Sequence, residues 1–286
     1  MTEPKQPAAD GYVASPRPTY DEPTVVRFDD AQQHAWGDEI SGKVFDRLFV
    51  SSSKIHHLVF ELAPHAGFTH SDAYRTIFAA YEVMFVLSGE LVLANPETGE
   101  VVRALPGEAV AFGPDTWHHG FNESGETLRI LEFFAPPPST GTSGAYARTK
   151  PLLERSTYTR DELLAAWPAA SGSRTTLRVV RETDYLWRLE GEGRRSLFGV
   201  IASSPDLTVG KLQLPPGRGT DPRRHGGDMS LMVVDGELTA FLADGVEREL
   251  HTLDGLYVPE GEVYRLENRS GSLAAIVCGV APRYVA

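Results

Sequence analysis

The sequence predicts an all-β chain made of two tandem copies of one antiparallel β-domain. Three observations carry this prediction. Short runs alternate apolar and polar residues, 27 glycines and 20 prolines punctuate 286 residues, and the second half echoes the first. A chain of this length holds one large or two ordinary domains, and its 41% hydrophobic residues suffice for real cores.

Residues 1–23, rich in Pro, Ala and acidic side chains, show no period and form an N-terminal arm. Strand-type runs then follow over Thr24–Phe28, Val44–Val50, Ile55–Leu62, Glu82–Val86, Glu90–Ala94, Ala109–Phe112 and Leu128–Phe134. Asn95-Pro-Glu-Thr-Gly99 is a hairpin-type turn between two of them. Residues 24–138 make the first domain. The breaker-rich stretch from Ala135 to Gly144 leads into a linker, 139–175, with one short helix over Thr159–Trp167. Thr159 caps that helix, Asp161 and Glu162 suit its first turn, and Pro168 stops it. Residues 176–286 make the second domain. Arg47–Pro64 aligns loosely with Ser196–Pro216, and Leu87-Ser-Gly-Glu-Leu-Val-Leu parallels Val234-Asp-Gly-Glu-Leu-Thr-Ala.

Composition removes several function classes. Lys and Arg total 27 against 39 Asp and Glu, a formal net charge of −12, which argues against nucleic acid or a membrane surface as partner. No apolar run approaches the roughly 18–20 residues of a membrane span, and the polar start lacks a signal-peptide core. The single cysteine, Cys278, excludes an intrachain disulfide and a Cys-based zinc site; in the run AAIVCGV it is a small buried hydrophobe. The expectation is a cytoplasmic protein that handles a small molecule.

Most of the histidines fall in the first repeat, among them His56, His57, His65, His70, His118 and His119. His70-Ser-Asp72 precedes Glu82, which is followed by six residues and Gly89. Farther on, Gly107 opens a segment that ends in Gly113-Pro-Asp115, Trp117, His118, His119 and Asn122. These spacings resemble the cupin family, whose two motifs read G(x)5HxH(x)3,4E(x)6G and G(x)5PxG(x)2H(x)3N. Glu82-(x)6-Gly89 and His118-(x)3-Asn122 match directly. The HxH is present as His70-Ser-Asp72, the stretch Ala73–Tyr81 lengthens the gap to Glu82, and the PxG is displaced.

The resemblance implies two tandem cupin barrels, jelly-roll-like double-stranded β-helices, with one divalent metal ion in the N-terminal barrel. His70, Glu82 and His118 would hold it, with Asp72 as a fourth ligand or a base beside the metal. Strand residues two apart face one side, so His70 and Asp72 would both point inward. Counting from Gly107 and back from Asn122 favours His118 as ligand, while counting from Pro114 favours His119. Tyr74, Phe85, Phe112, Trp117 and His119 would line the substrate pocket, and Arg75 would clamp a substrate carboxylate. His56 and His57 read as packing residues. In the second repeat the ligand positions read Arg223, His225, Met229 and Tyr264, too few donors for a metal, so that barrel is expected to be silent.

A two-His-one-carboxylate set with open positions points first to an Fe(II) dioxygenase acting on a small organic substrate. Zn, Mn or Ni in the same place would give isomerase, lyase or hydrolase chemistry. A third reading is a non-catalytic binding cupin. Homodimerisation is compatible with all three.

Overall fold

The computed structural model describes residues 15–75, 77–137, 152–156, 158, 175–192, 196–243 and 245–285. The first half contributes β1 (Thr24–Val26), β2 (Gln32–Asp38), β3 (Gly42–Ser51), β4 (His56–Leu62), β5 (Gly67–Phe68), β6 (Tyr81–Ser88), β7 (Leu91–Asn95), β8 (Glu100–Ala104), β9 (Ala109–Phe112), β10 (His119–Asn122) and β11 (Leu128–Ala135). The second half contributes β12 (Arg178–Val180), β13 (Leu186–Glu190), β14 (Ser196–Ser203), β15 (Thr208–Leu214), β16 (Gly226–Asp235), β17 (Glu237–Leu242), β18 (Glu247–His251), β19 (Gly255–Val258), β20 (Tyr264–Glu267) and β21 (Ala274–Arg283). Among the described residues the helical turns are short 3-10 turns, Phe28–Asp30 and Glu182–Asp184. The helix expected over Thr159–Trp167 lies outside the described residues.

The strands form two antiparallel barrels. The first closes a seven-stranded sheet, β12-β9-β6-β11-β4-β3-β2, over a four-stranded one, β5-β10-β7-β8. The second closes β1-β19-β16-β21-β15-β14-β13 over β18-β17-β20. Every predicted strand run falls on an observed strand. The first-half strands outside those runs are β2, which reads QQHAWGD, the two-residue β5, β8 and β10.

The halves exchange their leading strands. β1 pairs with β19, Thr24 opposite Tyr257, and β12 pairs with β9, Arg178 opposite Ala111. Each exchanged strand ends in Val-Val and is followed by an arginine that forms an ion pair just ahead of the strand it joins. Arg27 pairs with Asp254, and Arg181 with Glu108 at 3.1 Å. Each barrel wall thus carries a strand from the other half of the chain.

Period-two alternation gives each strand two jobs. On β6, Met84 and Val86 face the first barrel's core, while Val83 and Phe85 face the seam between barrels. The seam is tight enough to require glycine: a Cβ on Gly255 would lie 2.6 Å from the Phe49 ring, and one on Gly279 would lie 2.7 Å from Phe133. His57 belongs to this seam. It stacks on Phe49 with ring centroids 4.7 Å apart and hydrogen-bonds Ser230 Oγ at 2.6 Å.

Candidate functional site

Among the described residues, five titratable side chains take inward positions in the largely apolar first barrel. Asp46 lies between Val44 and Leu48 on β3, and His56 begins the inward series Leu58 and Phe60 on β4. Glu82 precedes Met84 on β6, Glu132 sits between Ile130 and Phe134 on β11, and His118 stands just before β10. A cavity here is lined by Asp46, His56, His118 and Glu132 together with Trp36, Phe60, Phe68, Phe78 and Phe134.

Glu82 is completely buried, and neither of its carboxylate oxygens meets an N–H or O–H donor. Its neighbour is the Glu132 carboxyl, so a hydrogen bond joins the two only while one keeps its proton. Burial, and then the charge of Glu132, push Glu82 well above the ordinary carboxylate range. Burial, followed by the charge of Asp46, pushes Glu132 up to about 8. Asp46 is raised by burial, opposed by His34, whose Nδ1 lies 3.3 Å from its carboxylate.

The two lumen imidazoles are uncharged at neutral pH. Burial takes His118 down to about 4, and its Nδ1–H donates to the Thr116 carbonyl at 3.1 Å, which leaves the lone pair on Nε2. Burial and the nearby Arg17 charge take His56 to about 3. The His56 ring hydrogen-bonds Ser51 Oγ at 2.8 Å and stacks on Phe134 at 4.4 Å.

The expected ligands do not converge. Among the described residues no three His, Cys, Asp or Glu side chains stand together as a metal-holding group. Glu82 and His118 face the lumen of the first barrel, but His70 hydrogen-bonds His119 instead, and His119 in turn hydrogen-bonds Tyr158. The Asp72 side chain is 88% exposed and lies 3.8 Å from Arg75, rather than pointing inward with His70. The cause is local. β5 ends at Phe68, so the alternation that would aim His70 and Asp72 inward is lost before it reaches them.

The expected pocket residues also divide. Phe112 packs beside His118 with centroids 4.9 Å apart. Tyr74 is buried edge-on against Trp36 at 5.2 Å. Phe85 faces the seam instead, because it is odd-numbered on a strand whose even positions face inward. Trp117 packs with Ile77 and Leu153, apart from the cavity. Arg75 sits against Asp72 and does not line the cavity. Glu132 and Asp46 were not anticipated. Their signal is in the sequence all the same: each is a lone acid on the inward period of an apolar strand, Ile130-Glu132-Phe134 and Val44-Asp46-Leu48.

In the second barrel the inward positions carry different residues. Matching registers put Met229 where Glu82 stands, Cys278 where Glu132 stands, and Tyr264 where His118 stands. Arg223 is buried in an ion pair with Glu190 at 2.9 Å. The Tyr284 hydroxyl accepts from Arg223 at 3.2 Å and donates to Glu190, and the His225 ring bonds the Tyr264 hydroxyl at 2.8 Å. Burial raises the Cys278 thiol to about 12. Among the described residues, the buried side-chain polar atoms of this barrel have hydrogen-bond partners.

Two barrels with exchanged strands, the first holding a carboxylate-lined cavity, define a β-barrel protein whose candidate site among the described residues lies in the first barrel. Residues 59–134, within the first barrel, match the Cupin domain family model. Solved structures agree in fold. A putative glyoxylate-induced protein from Pseudomonas aeruginosa superposes with a TM-score of 0.66 at 15% identity, covering 100% of this chain and 98% of that one. For the E. coli protein Ylba the TM-score is 0.63 at 10% identity, with 96% and 97% covered. For a serine-to-alanine mutant of Bacillus subtilis oxalate decarboxylase the values are 0.61 and 13%, with 96% and 80% covered. No curated protein matches the chain in sequence. No helix among the described residues is long and apolar enough to cross a membrane.

Proposed function

We propose that the chain is a cupin enzyme whose working site is the first barrel, with one divalent metal ion held by Glu82 and His118. The observation that carries this reading is the Glu82 carboxyl, fully buried with no donor on either oxygen. A buried carboxylate needs either a proton or a cation. His118 offers an uncharged imidazole, and a carboxylate with an imidazole is donor chemistry that suits Fe(II), Mn(II), Zn(II) or Ni(II).

Within that class we favour an Fe(II) dioxygenase. When bound, the ion would bring a small organic substrate and dioxygen to one centre, because so sparse a protein donor set leaves positions for both. The chain's own part is to exclude water with Trp36, Phe60 and Phe68, and to keep a proton on the Glu82–Glu132 pair while no cation is bound. A second reading, a Zn, Mn or Ni isomerase or lyase, is favoured by Glu132. A carboxyl that retains its proton near neutral pH can serve as general acid beside a substrate.

Protein purified anaerobically should hold about one divalent ion per chain, with protons released as metal is titrated in. Glu82→Gln should lose that ion. Oxygen uptake with turnover selects the dioxygenase, and turnover without uptake selects the second reading. Protein that neither carries nor takes up metal refutes both.

A further inference from the structure

The stretch of chain ahead of β1 carries a hydrogen-bond relay into the cavity of the first barrel. We propose that His56 presents its Nε2–H to that cavity as a binding donor, set in place by Ser51 and Arg17. The molecule taken up there is then an apolar compound bearing a carbonyl-type oxygen. This rests on the first barrel being the working site, and it names a substrate class for that site.

Residues 15–20 lie against the first barrel before the chain crosses to the second. Ser15 lines the cavity, Pro18 is buried, and the Pro18 carbonyl accepts from the Ser51 N–H at 2.7 Å. Arg17 donates through Nε to Ser51 Oγ at 3.1 Å and through Nη2 to the Ser52 carbonyl at 3.4 Å. Ser51, buried at the end of β3, is thus held by both its backbone and its side chain.

Ser51 Oγ has a second partner, His56 Nδ1, at 2.8 Å. The direction of that bond follows from the groups present. A guanidinium can only donate, so Arg17 occupies a lone pair of Ser51 Oγ. Among the described residues, the acceptor left for the Ser51 hydroxyl proton is His56 Nδ1. Nδ1 therefore carries the lone pair of the ring, and the proton sits on Nε2. A second proton on the ring would leave Nε2–H in place, so this donor does not depend on the ring's charge.

The ring is also fixed in orientation. It stacks on Phe134 with centroids 4.4 Å apart, and it lines the cavity with Phe60, Phe68 and Phe78. With Nδ1 turned to Ser51, Nε2 stands on the far edge of the ring, where it has no hydrogen-bond partner among the described residues. His56 is 6% exposed, and a donor so buried is costly to leave unpaired. A carbonyl oxygen in the cavity would satisfy it, while the aromatic walls take the apolar body of the same molecule.

Two measurements on the full chain test this. The first is NMR of isotope-labelled histidine at neutral pH, in which the ring nitrogens report where the proton sits. His56, assigned by its loss from His56→Phe, should show the Nε2–H form, and Ser51→Ala and Arg17→Met should each give a mixture of the two forms. The second is calorimetric titration with acetophenone and α-methylstyrene, which share a shape but differ in a carbonyl oxygen against a methylene. Acetophenone should bind about tenfold more tightly, and the margin should fall to about twofold or less in His56→Phe. The same margin should appear in protein stripped of metal by chelation and in protein reloaded with Mn(II). A ring protonated at Nδ1 alone, a ring form unmoved by both substitutions, equal binding of the probes, binding of neither, or a margin unchanged in His56→Phe would overturn the proposal. So would a margin seen only in the reloaded protein, because the metal would then hold the oxygen. Metal content of the same samples separates the two readings. A His56-dependent margin in a chain that takes up no metal sinks only the metal reading, and metal uptake without that margin sinks only this one.

Discussion

Replacing Arg223 by methionine tests whether the second barrel's polar interior is structural. The Arg223 and Glu190 side chains are 9% and 2% exposed, and their charges meet at 2.9 Å. Arg223 also donates to Ser196 Oγ at 3.1 Å and to the Tyr284 hydroxyl at 3.2 Å. Arg223→Met leaves the buried Glu190 carboxylate with the Tyr284 hydroxyl and, at 3.9 Å, the half-exposed Arg188 in place of its close counter-ion. Breaking a buried pair in this way costs about 3–5 kcal/mol, on the order of a 10 °C fall in Tm for a chain of this size. Arg223→Met/Glu190→Met removes both charges and should recover most of that loss, since apolar replacement of a whole buried pair is close to neutral. Urea unfolding followed by tryptophan fluorescence reads both variants, and Glu82-dependent metal uptake should be unchanged in the double variant. A loss below about 1 kcal/mol in the single variant, or a double variant no more stable than the single, refutes the reasoning.

Other expectations follow from the seam between barrels. Asp228 on β16 is a buried acid that receives hydrogen bonds from Lys54 Nζ at 2.9 Å, Tyr257 Oη at 2.8 Å and the Glu260 N–H at 3.0 Å. Burial alone would raise its pKa, but these bonds and one from Ser52 hold it below the ordinary aspartate value. A folded-state pKa below the unfolded one contributes stability that is present above about pH 4 and lost as pH falls through the folded value. Asp228→Asn should therefore cost about 1–3 kcal/mol at pH 7, a difference from the natural chain that shrinks below pH 4 in urea titrations. Gly279→Ala should lose about 1–3 kcal/mol by driving a methyl into the Phe133 ring, and Gly279→Ala/Phe133→Leu should regain part of it.

Much of the fold was legible in the sequence. Alternation placed β3, β4, β6, β9 and β11, and the repeated Gly-Glu-Leu turn revealed the duplication. The motif spacing brought Glu82 and His118 to the inner face, because six residues from Glu82 to Gly89 span one strand. The reach of that spacing ended at Ala73–Tyr81. A motif states which residues belong to a site only while the strand carrying them keeps its alternation, and β5 stops at Phe68, two residues short of His70. His70 therefore meets His119 and Tyr158, while Asp72 faces solvent.

The sequence by itself determined the all-β class, the two tandem barrels and the loss of ligand-type residues from the second one. Each of these follows from local periodicity or residue identity, which a linear chain displays directly. Tertiary structure alone decided three things: that β1 and β12 trade barrels, that Glu132 lies against Glu82, and that Arg75 stays out of the cavity. Strand exchange depends on which sheet edge is vacant, and the carboxyl pair depends on the register between β6 and β11, where Glu132 faces Met84 one turn of the pleat from Glu82. Such registers are fixed by contacts far apart in the chain, so they become visible only once the barrel is closed.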